Sequence, residues 1–216
     1  MKVAVLGAGG LAKVICDALN LEGKHEIAGF FDDAKRGRFL KYPILGRCAQ
    51  YGELCRKLKI RAIIVAFGYN FLDKRLSYCA KIGRDKKIKS INAIHPSAVI
   101  SPGAEIGKGV YIGPGVIVNP GAKIGDNSVI WSGAIIEHDN LIGKNVFICP
   151  GARTAGYVSL GDNTFVGMGA NITKARIGKN VTVGAGSLVL DNVKSDKYVF
   201  GVPAKIIRTK KSCSYV

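Results

Sequence analysis

A six-residue period beginning at Ile94 constrains this chain more than anything else in it. Stepping by six from Ile94 meets Ile100, Ile106, Ile112, Val118, Ile124, Ile130, Ile136, Ile142, Ile148, Thr154, Leu160 and Val166, and all but Thr154 are branched aliphatics. Four residues after each stands a small or β-branched residue, from Ala98 to Ala170, broken only by Asn140. One residue is lost after Ile172, and the pattern resumes at Ile177, Val183 and Val189. A period of six matches neither the 3.6 of a helix nor the 2 of a strand. It fits a parallel β-helix in which each hexad is a short strand plus a turn, three hexads closing one coil. One hexad cannot bury its own aliphatic residue, so stacked coils must form the core together. Glycine and asparagine at the corners, as in Ile106-Gly107-Lys108-Gly109 and Ile124-Gly125-Asp126-Asn127, supply turns with unusual backbone angles.

The residues before the repeat follow a different pattern. Residues 2–6 read as a buried strand, followed by a glycine turn and a helix over about 11–20. A strand over 25–31 ends in Asp32-Asp33. A helix over 51–59, a strand over 61–67 and a basic helix over 70–82 come next. Strands alternating with helices predict a parallel sheet covered on both faces. The expected organisation is an α/β domain over 1–90, a β-helix over 91–205 and a basic tail over 206–216.

The glycine turn matches G-x-G-x-x-A at Gly7, Gly9 and Ala12, with Asp32 about twenty residues on. Such a turn lets backbone and a helix N-terminus approach a phosphate, and the acid suits a ribose. A dinucleotide needs two mononucleotide-binding halves and only one precedes the repeat, so a nucleotide-sugar with one nucleoside fits better.

The formal net charge is +17, from 32 Lys+Arg against 15 Asp+Glu. It favours anionic partners through the field. Neither a zinc-finger spacing nor an aromatic-basic RNA motif accompanies it, so phosphorylated small molecules are expected rather than nucleic acid. The six cysteines show no C-x-x-C spacing and read as reduced thiols of a cytoplasmic protein. No segment approaches the ~20 apolar residues of a membrane span.

The glycine turn, short α/β domain, hexapeptide rod and Gly201-Val202-Pro203-Ala204-Lys205 ending occur together here. In this combination the chain resembles the sugar acetyltransferases of bacterial surface-glycan synthesis, namely the nucleotide-4-amino-sugar N-acetyltransferases and the sialic acid O-acetyltransferase type. The resemblance implies a half-Rossmann domain followed by a left-handed β-helix. It also implies acetyl-CoA as co-substrate with no metal, and a homotrimer with acetyl-CoA between neighbouring rods. Its Ile-Glu-His-(Asp/Glu) motif falls on Ile136-Glu137-His138-Asp139, with His138 as the base. Asp32-Asp33 match its nucleoside-binding acids, and Gly68-Tyr69-Asn70 with Arg75 resemble its stretch near the sugar nucleotide. Three positions depart: Gly10-Leu11 replaces Gly-Gly-His in the first loop, Phe147 stands where a second His is usual, and Trp131 where an Asn near acetyl-CoA is usual. Trp131, Phe147, Val202, Pro203 and Lys205 are thus the expected co-substrate contacts, and Gly9 and Gly10 those of the phosphate.

The chemistry suits these residues. Acetyl transfer needs a nucleophile deprotonated as it attacks, and an imidazole titrates near neutral pH. His25 and His95 open strands and read as structural; His138 lies mid-rod beside the irregular Asn140. Asp139, or its rival Glu137, would orient the imidazole. Gly156 is a candidate backbone donor to the oxyanion. Direct attack on the thioester is expected, since neither Ser nor Cys stands in a nucleophile motif and Cys149 reads as an apolar filler. A zinc anhydrase would need three His on one metal, which the rod lacks. Sialic acid O-acetylation and a non-catalytic scaffold remain as alternatives; Asp32-Asp33 favour a nucleotide-linked amine.

Overall fold

The computed structural model describes residues 1–209. It divides into two compact units, 1–96 and 97 onward.

The first unit contains β1 (Lys2–Leu6), α1 (Gly10–Glu22), β2 (Glu26–Phe31), β3 (Arg38–Phe39), β4 (Tyr42–Gly46), α2 (Tyr51–Lys57), β5 (Ala62–Val65), α3 (Leu72–Arg84) and β6 (Lys89–Ser90). The sheet order is β3-β4-β2-β1-β5-β6, parallel except for the β3–β4 hairpin. Val3, Ala4, Val5 and Leu6 of central β1 are wholly buried, as a strand covered on both faces requires. From β1 the chain passes first to β2 on one side and later to β5 on the other. The carboxyl end of β1 is therefore a topological switch point, where open parallel sheets bind ligands. The β3–β4 hairpin escapes sequence reading because Leu40-Lys41 carries no Asn-Gly or Asp-Gly signal; Leu40 takes the left-handed conformation (φ 53°) instead. The 70–82 helix begins later than expected, since Tyr69–Phe71 form a 3₁₀ turn before α3.

The second unit is a left-handed parallel β-helix with three flat faces. Val118 pairs with Ile136 and Ile136 with Thr154, eighteen residues apart, so three hexads make one coil. Beyond Ile172 the spacing falls to seventeen, as in Ile172 with Val189 and Val166 with Val183. The residue lost from the repeat is thus absorbed within one turn and the stacking survives. Inward Ile112, Ile130, Ile148, Val166 and Val183 form one fully buried column, each worth about 1.5–3 kcal/mol in apolar burial. One corner carries a side-chain ladder from Asn145 to Asn163, Asn163 to Asn180 and Asn180 to Asp196, at 2.9–3.1 Å. All four take left-handed φ near 60°, which asparagine and aspartate tolerate where most side chains do not.

The rod ends in an antiparallel hairpin of Lys197–Gly201 and Ala204–Thr209. Residues 206–209, expected to open a tail, are strand because they pair with the first arm; the remainder of that tail, 210–216, lies outside the described residues. Among the described residues no helix is long and apolar enough to cross a membrane.

Candidate active site and nucleotide cavity

In the first unit, the loops after β1, β2 and β5 enclose a cavity of about 470 Å3. Gly9, Gly10, Asp32, Asp33, Gly68 and Asn70 all line it. Gly7 has φ 104°, and a Cβ there would press on the Phe67 ring at 3.1 Å, so the turn admits only glycine. Over Gly9 and Gly10 a Cβ would meet nothing within 4 Å, leaving the N-terminus of α1 open to the cavity. That helix has no side-chain cap and no acid in its first turn, so its N–H groups and dipole favour an anion.

Asp32 braces this architecture. Its Oδ2 accepts the Ala8 N–H at 2.9 Å, and its Oδ1 accepts those of Ala34 and Lys35, both at 2.9 Å. Burial acts to raise its pKa, but these N–H bonds and the Lys74 charge outweigh it and hold the carboxyl below its ordinary value. Asp33 is lowered chiefly by its hydrogen bond from Lys74 Nζ at 2.6 Å, and its Oδ1 also accepts the Cys48 N–H. The Asp32→Asn variant should lose at least one of these N–H bonds. It should weaken nucleotide-sugar binding about tenfold by calorimetry, with acetyl-CoA binding unchanged, at ~1.5 kcal/mol for a charge-assisted bond.

Arg75 requires correction. It is wholly buried and donates through Nη1 to the carbonyls of Val65 and Phe67 at 2.9 and 3.0 Å, so it shapes the loop instead of meeting a ligand. Burial lowers its pKa to about 10. The cations that line the cavity are Lys35 and Lys74, the residue before Arg75, and Lys74 also stands 4.7 Å from the Phe67 ring centroid. Sequence reading passed over Lys74 because the Arg carried the resemblance.

In the second unit, Glu137, His138 and Asp139 form one corner of a coil. His138 Nδ1 lies 2.9 Å from Asp139 Oδ2, and both side chains are about half exposed. Asp139, with φ 56°, is the orienting partner. Glu137 instead folds back, its Oε2 accepting the His138 N–H at 3.4 Å. One coil on, Gly156 provides room for the imidazole: a Cβ there would lie 2.5 Å from Nε2 and 2.6 Å from Cε1. Gly156 occupies the hexad position held elsewhere by Pro102, Pro114, Pro120 and Pro150. Proline fits there because that N–H makes no ladder bond, and the Gly156 N–H likewise makes none to the backbone among the described residues.

Both breaks in the hexad rule converge on this corner. Thr154, in place of an inward aliphatic, accepts the Glu137 N–H through Oγ1 at 3.3 Å. Asn140 is wholly buried, and its Nδ2 donates to the carbonyls of Glu137 and Ala155. The two irregular side chains thus hold the N–H and the C=O of the residue before the imidazole. Among the described residues Asn140 Oδ1 has no partner, at a cost of about 1–3 kcal/mol. Asn140→Ala should therefore change stability by no more than ~1 kcal/mol, as lost bonds offset a relieved acceptor. Its kcat should fall about tenfold, read by steady-state kinetics beside thermal melting.

Tyr157 was not foreseen. Its ring stands at 88° to His138 with centroids 5.1 Å apart, and its N–H donates to the His138 carbonyl at 3.1 Å. It has φ 63°, and every other left-handed corner of the repeat among the described residues is Gly, Asn or Asp. A bulky residue held there costs about 1–3 kcal/mol, a strain that collects at functional sites. That exception was legible in the hexads.

The remaining expected contacts are scattered. Trp131 is half-buried, its ring edge-on to Tyr111 at 5.9 Å. Phe147 is 2% exposed, in register with Val129 and Phe165. Its expected contact with the co-substrate is corrected to packing, since it presents almost no surface. Val202 and Pro203 form the turn of the terminal hairpin, followed by exposed Lys205 on its second arm. Among the described residues no group of three or more His, Cys, Asp or Glu lies placed to hold a metal ion.

Residues 2–78 match the family described as PglD N-terminal domain. Residues 103–138 match bacterial transferase hexapeptide (six repeats), and 133–174 and 157–190 match hexapeptide repeat of succinyl-transferase. No curated protein sequence matches. Among solved structures, PerB from Caulobacter crescentus, in complex with CoA and GDP-perosamine, is 35% identical with a TM-score of 0.87, over 95% of this chain and 97% of that one. This chain belongs to the hexapeptide-repeat nucleotide-sugar N-acetyltransferases. The acetyltransferase domain of PglB from Neisseria gonorrhoeae is 31% identical with a TM-score of 0.86, over 95% and 99% of the two chains. The same domain in complex with acetyl coenzyme A is 30% identical with a TM-score of 0.85, over 95% and 98%.

Proposed function

We propose that this enzyme transfers the acetyl group of acetyl-CoA to the C4 amine of a nucleotide-linked 4-amino-deoxysugar in surface-glycan synthesis. The observation that carries the reading is the His138–Asp139 pair set against the vacant side of Gly156. Asp139 engages Nδ1 and fixes the tautomer, leaving Nε2 to accept the proton as the amine nitrogen attacks the thioester carbonyl. The Gly156 N–H stabilises the oxyanion, and collapse forms the amide and releases the CoA thiol. Attack is direct. Cys149 is buried, which pushes its pKa up to about 11, so it offers no thiolate for an acyl-enzyme.

The cavity at the end of β1 holds the nucleoside diphosphate, with phosphate at the α1 N-terminus and the positive charge of Lys74 beside it. The fitting acceptor class is supported by the nucleotide amino-sugar complex of PerB. A homotrimer with acetyl-CoA between neighbouring rods completes the reading, and equilibrium sedimentation should show three chains per particle; a fully active monomer contradicts it.

The deciding experiment is CoA-thiol release with acetyl-CoA against a panel of UDP-, GDP- and dTDP-linked 4-amino-sugars and free sialic acid. Turnover is expected on at least one nucleotide amino-sugar. Turnover on free sialic acid alone would replace this reading with sugar O-acetylation.

A further inference from the structure

Six cations without a carboxylate partner gather at the β6 edge of the N-terminal sheet. Arg56 at the end of α2, Lys59 and Arg61 in the loop before β5, and Lys86, Lys87 and Lys89 around β6 line one concavity of about 800 Å3. All six are exposed. Some cations elsewhere are paired, Lys24 with Glu22 at 2.7 Å, Lys74 with Asp33 at 2.6 Å and Lys123 with Glu105 at 2.8 Å. Among the described residues, none of the six has an acidic group within ion-pair distance. The acid nearest in sequence, Asp85, has its Oδ1 engaged by the N–H groups of Lys87 and Ile88. Like charges held together without counter-charge raise the local potential and call for an external anion.

The borders of the concavity decide which anion. No aromatic side chain lines it, so it lacks the stacking platform on which single-stranded nucleic acid lies. One exposed aliphatic side chain lines it, and a second is next in sequence to a residue that does. Met1 lines the concavity at 62% exposure, and Leu58, between Lys57 and Lys59, is 42% exposed. Cations flanked by protruding aliphatics match a bilayer surface, the charges meeting headgroups and the aliphatics entering the interface. We infer that this face docks the protein on an anionic phospholipid membrane.

The test is co-sedimentation of the full chain with phosphatidylcholine vesicles, with and without phosphatidylglycerol. Binding is expected only with phosphatidylglycerol and should fall with added salt. Each cation contributes about fivefold to the partition coefficient. The combined Lys59→Glu, Arg61→Glu, Lys87→Glu and Lys89→Glu variant should therefore bind more than about a hundredfold more weakly, with turnover and melting temperature unchanged. The corresponding Gln substitutions serve if the reversed protein fails to fold. Leu58→Ser, at constant charge, should weaken binding severalfold, which attraction to a generic polyanion would not show. Reversal at Lys13, Lys24, Arg38 and Lys41 is the control for net charge. The inference is overturned by absence of binding to phosphatidylglycerol vesicles or by equal loss in that control. Tighter binding to an RNA oligonucleotide through the same six residues would overturn it too.

Discussion

Gly156→Ala should lower kcat by about two to four decades while leaving the fold intact, an effect as large as removing the base itself. The added methyl carbon would lie 2.5 Å from His138 Nε2, 2.6 Å from Cε1 and 3.1 Å from Cδ2. Contacts this short cannot persist, and the half-exposed imidazole gives way more easily than the coil. Its displacement breaks the 2.9 Å contact with Asp139 and moves Nε2 away from the acceptor. Gly156 does not have a left-handed φ, so alanine introduces no backbone strain. The unfolded chain loses freedom, and stability should rise by up to about 1 kcal/mol. The substitution also keeps the N–H proposed for the oxyanion, so the loss isolates the position of the base. Steady-state kinetics beside thermal melting reads both quantities. A variant with ordinary kcat would show that the imidazole does not act from the place it occupies.

His138→Ala should reduce kcat by the same two to four decades, with a smaller change in the acetyl-CoA KM. The imidazole is engaged at Nδ1, braced through Asp139, and neighboured by the Tyr157 ring; nothing else in that corner can accept a proton at the same point. The double variant with Gly156→Ala should be no worse than His138→Ala alone, because the glycine acts through the ring. Additive losses would assign Gly156 an independent role. An undiminished rate in His138→Ala would remove the residue from the mechanism.

The β-helix was legible in the amino-acid sequence because its core is one-dimensional. Each inward position recurs at a constant interval, so Ile94 to Val166 state the register without knowledge of any distant contact. The lost residue after Ile172 could be placed for the same reason, and the pairing interval falls from eighteen to seventeen there. Glycine spacing and the acids at the end of β2 likewise marked residues that line the cavity beyond β1, since a turn of that geometry is local.

Tertiary structure decided whatever depends on direction or on neighbours a coil away. Lys74 and Arg75 are adjacent on a helix, where one residue turns the side chain by about 100°, so one faces the cavity and the other the interior. Phe147 has the right spacing for a co-substrate contact, but its column with Val129 and Phe165 takes it out of reach. The terminal hairpin forms because 204–209 finds 197–201, a pairing that the Lys- and Arg-rich composition conceals. Thr154 and Asn140 were visible as exceptions in the sequence, seventeen and three residues from Glu137. Only the stacking of one coil on the next brought both exceptions to a single residue, Glu137, and set the His138 corner beside them.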